Sequence, residues 1–336
     1  MRGLRSWLFG IVSILTLCSA ATAEPIRIRV GWVAPAASWG SLLLEKKELA
    51  RHLGQSYVLE TIHFDSSPQQ IPAIASGKLE IADLAFSTLP IAIENEGLSD
   101  LRVIAGGFQD GLPGFYSQEF MVLADGPIKT VEDLKGKVVA TVGAGAAVDV
   151  AARGMLRRHE LENERDYTMI QASFSNMRAM LVEKKADLVP SVPPFSFDPD
   201  LRKIARPLFY QRDVYGETQM VMWTARKRFI DANRTVMIDF IEDALRISSW
   251  FLDPANHKEV MEIAGRLTKQ PPERYDWLFT ERDYYRDPIM LPELDALQKN
   301  VDLVRDLGFV KDDLDVNQYA DLSLIEEAIA RLKTAP

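Results

Sequence analysis

The chain has 336 residues and carries 48 Asp and Glu against 39 Lys and Arg, a formal charge of −9 at pH 7. An acidic chain with no basic tract lacks the electrostatic footprint of a nucleic-acid binder, so no nucleic-acid partner is expected. Its single cysteine, Cys18, falls in an apolar leader, which leaves the rest without a disulfide framework, a thiolate nucleophile or a cysteine metal site.

The leader begins with Arg2 and Arg5, runs through apolar residues 7–17 and reaches the small residues 19–23. That order is the pattern of a secretory signal peptide over residues 1–23, with cleavage after Ala23. A membrane anchor would need roughly 20 apolar residues. Leu17 is too bulky to precede a lipid-modified cysteine, so anchoring through Cys18 is not expected. Removal of the leader leaves residues 24–336 and takes the charge from −9 to −11 with the loss of two arginines. A chain of this length exceeds the comfortable size of one core and should form two lobes. It should be soluble in an exported compartment.

Residues 26–33 alternate and then turn apolar, the pattern of a first strand. The spacing of Leu42, Leu43, Leu49 and Leu53 predicts a helix over 39–53 that stops at Gly54. Ser38 would cap it and leave backbone N–H groups free at its start. Trp39 beside them offers either a stacking surface for a ligand or a core side chain. Residues 57–64 read as the second strand. Asp65-Ser66-Ser67-Pro68 has helix-start chemistry, Ile71, Ile74 and Ala75 give the apolar face, and Gly77 ends the turn. Residues 79–86 form a short apolar run suited to a buried strand, after which Ser87 and Thr88 again offer a cap. In open α/β sheets ligands sit outside the carboxyl ends of the strands. Ser66, Ser67, Ser87 and Thr88 are therefore candidates for a cleft, although each also fits an ordinary N-cap.

Residues 101–105 supply a fourth strand and 120–124 one that leaves the first lobe. Thr130 caps a short turn, and 137–142 opens a second α/β unit. Gly143-Ala144-Gly145-Ala146-Ala147 then joins a strand to a helix, a turn that exposes N–H groups to an anion or polar group, or serves as a plain tight turn. A dinucleotide fingerprint would need glycine where Val148 stands, and no Gly-Lys-Ser/Thr follows for a P-loop. Residues 167–171, a helix over 176–184 and 186–190 complete another βαβ unit. Ser191-Val192-Pro193-Pro194-Phe195 follows at its carboxyl end, where Phe195 and Phe197 add aromatic surface. A last strand spans 219–224 and the chain is helical from Lys227 onward: Ile238, Ile241, Leu245, Ile247 and Phe251 mark a long helix, and others follow over 259–267, 273–278, 293–307 and 324–332. His52, His63, His159 and His257 are scattered without paired spacing, so no metal site, cofactor or catalytic set is expected. The charge runs at 45–48, 202–203 and 312–313 read as solvated surface.

Three stretches resemble the substrate-binding proteins of the nitrate, sulfonate, taurine and thiamine-precursor ABC importers. They are ASGKLEIADLAFST (75–88), TVEDLKGKVVATVGAGAA (130–147) and LDALQKNVDLVRDLGFVKDDLDVNQYADLSLIEEAI (294–329). The resemblance implies a two-lobed periplasmic binding protein fold, type II-like, each lobe a mostly parallel sheet flanked by helices, with two crossovers at a hinge. The lobes would be 25–114 with 225–336, and 115–224. It further implies a monomeric periplasmic solute-binding protein that passes a small molecule to an inner-membrane permease. Matched to this chain, the ligand loops carry Ser38, Trp39, Ser66, Ser67, Ser87, Thr88, Gly143, Ala144, Gly145, Ala146, Pro194 and Phe195. The expected ligand is an organic anion, a sulfonate or carboxylate with an apolar or aromatic body; Arg178 offers it a bidentate partner but is the better fit for a surface salt bridge. The alternatives are a neutral pyrimidine or similar heterocycle, and an enzyme or sensor of the same fold. The aromatic and proline content of the last loop argues against nitrate.

Overall fold

The computed structural model describes residues 24–334. The predicted leader at 1–23 lies outside them, and among the described residues no helix is long and apolar enough to cross a membrane. Ten strands form among the described residues: β1 (Ile26–Trp32), β2 (Tyr57–His63), β3 (Ile81–Ala85), β4 (Leu101–Asp110), β5 (Glu119–Leu123), β6 (Val138–Thr141), β7 (Thr168–Gln171), β8 (Val189–Ser191), β9 (Ala205–Tyr210) and β10 (Thr218–Arg226).

Every residue of β3 is buried, as expected of a strand covered on both faces. It sits at the centre of a five-stranded sheet of order β2-β1-β3-β10-β4. β1 pairs in parallel with β2 and β3, whereas β10 runs antiparallel between β3 and β4. The sheet is thus mixed rather than mostly parallel, because the chain leaves it after β4, builds a second set of strands, and returns through β10. In that second set β5 lies antiparallel between β8 and β9, and β6 pairs in parallel with β7. A parallel bridge from Val139 to Leu188 links the two groups. The architecture is α/β with helices on the sheet faces, the fold class expected from the sequence.

Helix Arg234–Leu252 buries Met237, Ile238, Ile241, Ala244, Leu245 and Phe251 against one face of the first sheet, beside Trp223 of β10. On the other face helix Leu294–Asp306 buries Leu297, Val301 and Val304 with Leu84, Met222 and Phe86. A separate core of Phe120, Val139, Leu156 and Leu188 fills the second set. The helix expected over 39–53 is absent; the segment holds two 3₁₀ turns, Trp39–Ser41 and Lys47–Leu49. Local hydrogen bonding competes with the helix there: Ser41 Oγ donates to Ser38 O and accepts from Ala36 N. The helix expected over 273–278 is likewise one 3₁₀ turn, Pro272–Tyr275.

The segment after it is tied into the core by an ion pair with almost no exposure. Arg286 Nη1 donates to Asp283 Oδ2 at 2.6 Å and Nη2 to Ala37 O at 2.8 Å. Its guanidinium stands over the rings of Phe279, Trp39 and Phe108 at 4.6, 5.6 and 5.6 Å. Asp283 also accepts from the N–H groups of Phe279 and Tyr284. Removing one partner leaves a buried charge uncompensated, so Arg286→Ala should cost about 3–5 kcal/mol of stability. Urea unfolding followed by tryptophan fluorescence measures it, and a loss under about 1 kcal/mol would contradict the assigned role.

Candidate functional site

After Ile81, β1 no longer pairs with β3. The exposed edge is completed by side chains of the turn at 66–70. Gln70 Oε1 accepts from Asp83 N and Gln70 Nε2 donates to Asp83 O, both at 2.9 Å. Ser67 Oγ donates to Asp83 O and accepts from Ala85 N at 2.7 Å. Gly31 permits this, since a Cβ there would come within 2.1 Å of Gln70 Oε1. The Asp83 backbone is therefore fixed, and its carboxyl lines a cavity of about 70 Å³. A single water needs about 10–15 Å³ on such a measure, so there is room for a small organic molecule.

The first sheet contributes Val33, Ser38, Ser66, Asp83, Phe108 and Met220 to the lining; the second set contributes Gln118, Val142, Ala146, Val148, Phe174 and Pro193. Tyr284, stacked on Phe108 with centroids 4.4 Å apart, closes one side. Most of the wall is apolar, with a few polar residues such as Ser38, Ser66, Asp83, Gln118 and Tyr284 among its members, the usual make-up of a small-molecule site. Three of those groups lack protein partners: Gln118 Nε2, Gln118 Oε1 and the Tyr284 hydroxyl, all in buried side chains. Buried polar atoms are normally paired, so these are the atoms a ligand would satisfy.

Gln118 is held in place by a second buried acid. Asp110, at the end of β4, accepts from Ser117 Oγ at 2.6 Å and from Gln118 N at 2.9 Å. Burial pushes the Asp110 carboxyl up to about 7 against those bonds. Asp83 is pushed up to about 7 by the same desolvation, opposed by hydrogen bonding from the Ser38 hydroxyl. No Lys, Arg or His belongs to the cavity lining among the described residues.

Of the candidate residues, Ser38, Ser66, Ser67 and Ala146 line this cavity and the others do not. Ser38 makes no side-chain cap; its Oγ accepts from Ala34 N. Trp39 is core, stacked on Phe279 at 5.2 Å with Nε1 donating to Gly107 O. Ser87 Oγ donates to Gly145 O at 2.9 Å, tying the two halves together, and Thr88 is buried beside it in sequence without lining the cavity. At the glycine-rich turn, Gly143 and Ala144 point elsewhere, and Gly145 N donates to Asp149 Oδ2 at 2.9 Å. The helix's own carboxylate thus takes the N–H that was expected to meet an anion. The next residues of helix Ala147–Arg158, Ala147 and Val148, reach the cavity, and their N–H groups have no intrahelical acceptor. Pro194 and Phe195 turn away into a groove with Arg274 and Tyr275, and Phe195 also borders an outer hollow that shares Val33 and Phe174 with the cavity. Arg178 pairs with Asp198 at 3.2 Å on the surface.

Asp83, Gln118 and Tyr284 escaped sequence reading. Asp83 looked like one polar position in an apolar strand, Gln118 lies in a crossover without periodicity, and Tyr284 comes from a tail 200 residues beyond β3 in the chain. One group of metal-ligand type occurs among the described residues, His52 with Asp239 and Glu242. Its carboxylates already meet cations, Asp239 with Arg331 and Glu242 with Arg246.

Comparison with known proteins places these features in context. Residues 65–244, more than half the chain, match the family described as NMT1/THI5 like. A putative aliphatic sulfonates-binding protein of Escherichia coli (strain K12) is 28% identical over 133 residues, covering 40% of this chain and 39% of that protein. The match thus spans about two-fifths of the length of that curated relative. The alkanesulfonate-binding protein SsuA from Xanthomonas axonopodis pv. citri, solved bound to MOPS, superposes with a TM-score of 0.70 at 17% identity, over 89% of this chain and 99% of its own. The periplasmic nitrate-binding protein NrtA from Synechocystis PCC 6803 gives 0.71 at 14% identity, over 93% and 90%. At such identities the structural likeness establishes the fold.

The two protonation states of Asp83 offer a direct check. The folded chain holds this proton up to about pH 7, whereas an unfolded chain releases it near 3.8. Its contribution to stability is complete below about pH 4 and is lost progressively as pH rises to about 7. Asp83→Asn abolishes that titration, and Asp110 is common to both proteins. The variant should therefore gain on the wild type by roughly 1.4 kcal/mol per pH unit across the window, measured by urea unfolding of ligand-free protein. A pH-independent difference would mean that the carboxyl is not desolvated in the fold.

Proposed function

The chain belongs to the NMT1/THI5-like family, and from that premise we propose that it is the exported solute-binding component of an ABC importer, a monomer that hands a small molecule to an inner-membrane permease. The expected boundary at 224 falls inside β10 (Thr218–Arg226), which pairs along its length within the first sheet; the lobes are therefore 25–114 with 218 onward, and 115–217, and they close on the solute by bending at the β4-to-β5 and β9-to-β10 crossovers. The observation that carries this reading is the cavity itself: both halves of the molecule supply its walls, and three buried polar atoms on Gln118 and Tyr284 have no protein partner. Sulfonate and nitrate binding by the relatives supports capture of a small solute. Export and periplasmic residence rest on the leader and on the periplasmic relative.

An enzymatic role has less support. The chain holds no cysteine beyond Cys18, and among the described residues no histidine belongs to the cavity lining to relay a proton from its serines. The organic-anion reading draws on the start of helix Ala147–Arg158, where the dipole favours negative charge by about 0.3–1 kcal/mol. Asp83 in the same lining works against a second negative charge. That favours the alternative of a ligand without negative charge, such as a heterocycle between Phe108, Phe174 and Tyr284.

Two measurements test the reading. A ligand that stabilises the mature protein in a thermal screen should be recovered unchanged in stoichiometric amount after hours of incubation; a new product in its mass spectrum would sink the binding-protein assignment. Small-angle scattering of ligand-free and saturated protein should show a smaller radius of gyration in the bound state, since only contacts to both lobes favour closure. A larger radius on binding would overturn the closure.

A further inference from the structure

Building on that reading of the cavity, we propose that the solute is a small organic cation, a protonated amine or amidine on an apolar body, whose N–H groups are taken by the Asp83 carboxylate. Asp83 is 3% exposed, and among the described residues no Lys, Arg or His shares its cavity lining. From the first loop it meets the Ser38 hydroxyl; from the turn before β3, Ser67 and Gln70 hold its backbone; from β10 its neighbour is Trp223; and across the cavity stands the neutral Tyr284. The nearby charged groups are already committed. Arg286 is bound to Asp283 and Ala37 O behind the Phe108 ring, and Asp149 is bound to Arg153 and Gly145 N. A buried carboxylate without a counter-ion is costly, and a ligand that brings the missing positive charge removes that cost. The strand cannot yield instead, because two side chains pin Asp83 at both its N–H and its C=O.

The remaining wall suits the same chemistry. Gln118 Oε1 and the Tyr284 oxygen are acceptors without protein partners, able to take further N–H groups, while Phe108, Phe174 and Tyr284 present aromatic surface to a cation. A sulfonate or carboxylate, which only accepts hydrogen bonds, would face the Asp83 carboxylate with no positive side chain to balance it.

Charge-matched probes test this on the wild-type mature protein: butylamine and benzamidine against butanesulfonate, butanoate and benzoate, each at about 10 mM, by thermal shift followed by calorimetry. The cations should raise the melting temperature and bind one to one, the anions should leave it unmoved, and Asp83→Asn should weaken the cations at least tenfold. Stabilisation by the anions alone, or cation binding that Asp83→Asn leaves intact, would overturn the cation assignment while the solute-binding reading stands. If no probe of either charge binds, the cation assignment falls, while the solute-binding reading is decided by the screen and the scattering measurement above. The wild-type comparison decides the charge question even where the variant fails to fold.

Discussion

The contact on which the molecule most depends is the buried pair of Asp283 and Arg286. Moving two charges out of water carries a desolvation cost of several kcal/mol each, recovered only through close pairing and further hydrogen bonds. Asp283 takes two backbone N–H groups besides the guanidinium, and Arg286 reaches the carbonyls of Ala37 and Tyr284 through its two terminal nitrogens, with Nε alone of the guanidinium left unpaired among the described residues. Those partners come from the first loop and from the tail, segments some 250 residues apart in the chain. The tail continues along β4, where Gln109 N donates to Tyr285 O and Gly106 N to Met290 O. Through this one pair the loop bearing Ser38, the strand bearing Phe108 and the tail bearing Tyr284 are fixed relative to one another, and the cavity has a rigid wall.

Asp110 and Asp83 show how one physical circumstance serves two ends. Both are buried in strands of the same sheet, Asp110 at the end of β4 and Asp83 midway along β3, and desolvation pushes both to about 7. Asp110 has its oxygens occupied by Ser117 and Gln118, so it works as a clasp for the crossover. Asp83 has only the Ser38 hydroxyl and keeps acceptor capacity directed at the cavity. The distinction lies in the neighbours, since the residue type and depth are alike.

That also marks how far the sequence could be read. The apolar runs of β1, β3 and β5 and the long amphipathic helices were legible because their pattern is local. So was the turn Ser66-Ser67, whose place after β2 follows from chain order. The segment 39–53 was misread because its leucines face a core set by helix Arg234–Leu252 while Ser38 and Ser41 bond their own backbone. Trp39 belongs to the same cluster, a fact that depends on Phe251 and Phe279 arriving from far along the chain. The glycine turn at 143–145 was read as exposing N–H groups, but no spacing rule revealed that Asp149 would claim the one on Gly145. Gln118 and Tyr284 carry no periodic or capping signal, and only the assembled fold brings them beside Asp83.

The side chains of Gln70 and Ser67 have one more consequence. By standing in for β1 beyond Ile81, they turn a continuous sheet into a fork, with the β3–β10 ladder running straight on while β1 splays away. A hollow inside a fork has its floor made of exchangeable side chains instead of an obligatory ladder. The five strands can stay in register while residues 66–70 change, so a scaffold of this kind can be refitted to solutes of different size by altering a short turn, without renegotiating the sheet that supports it.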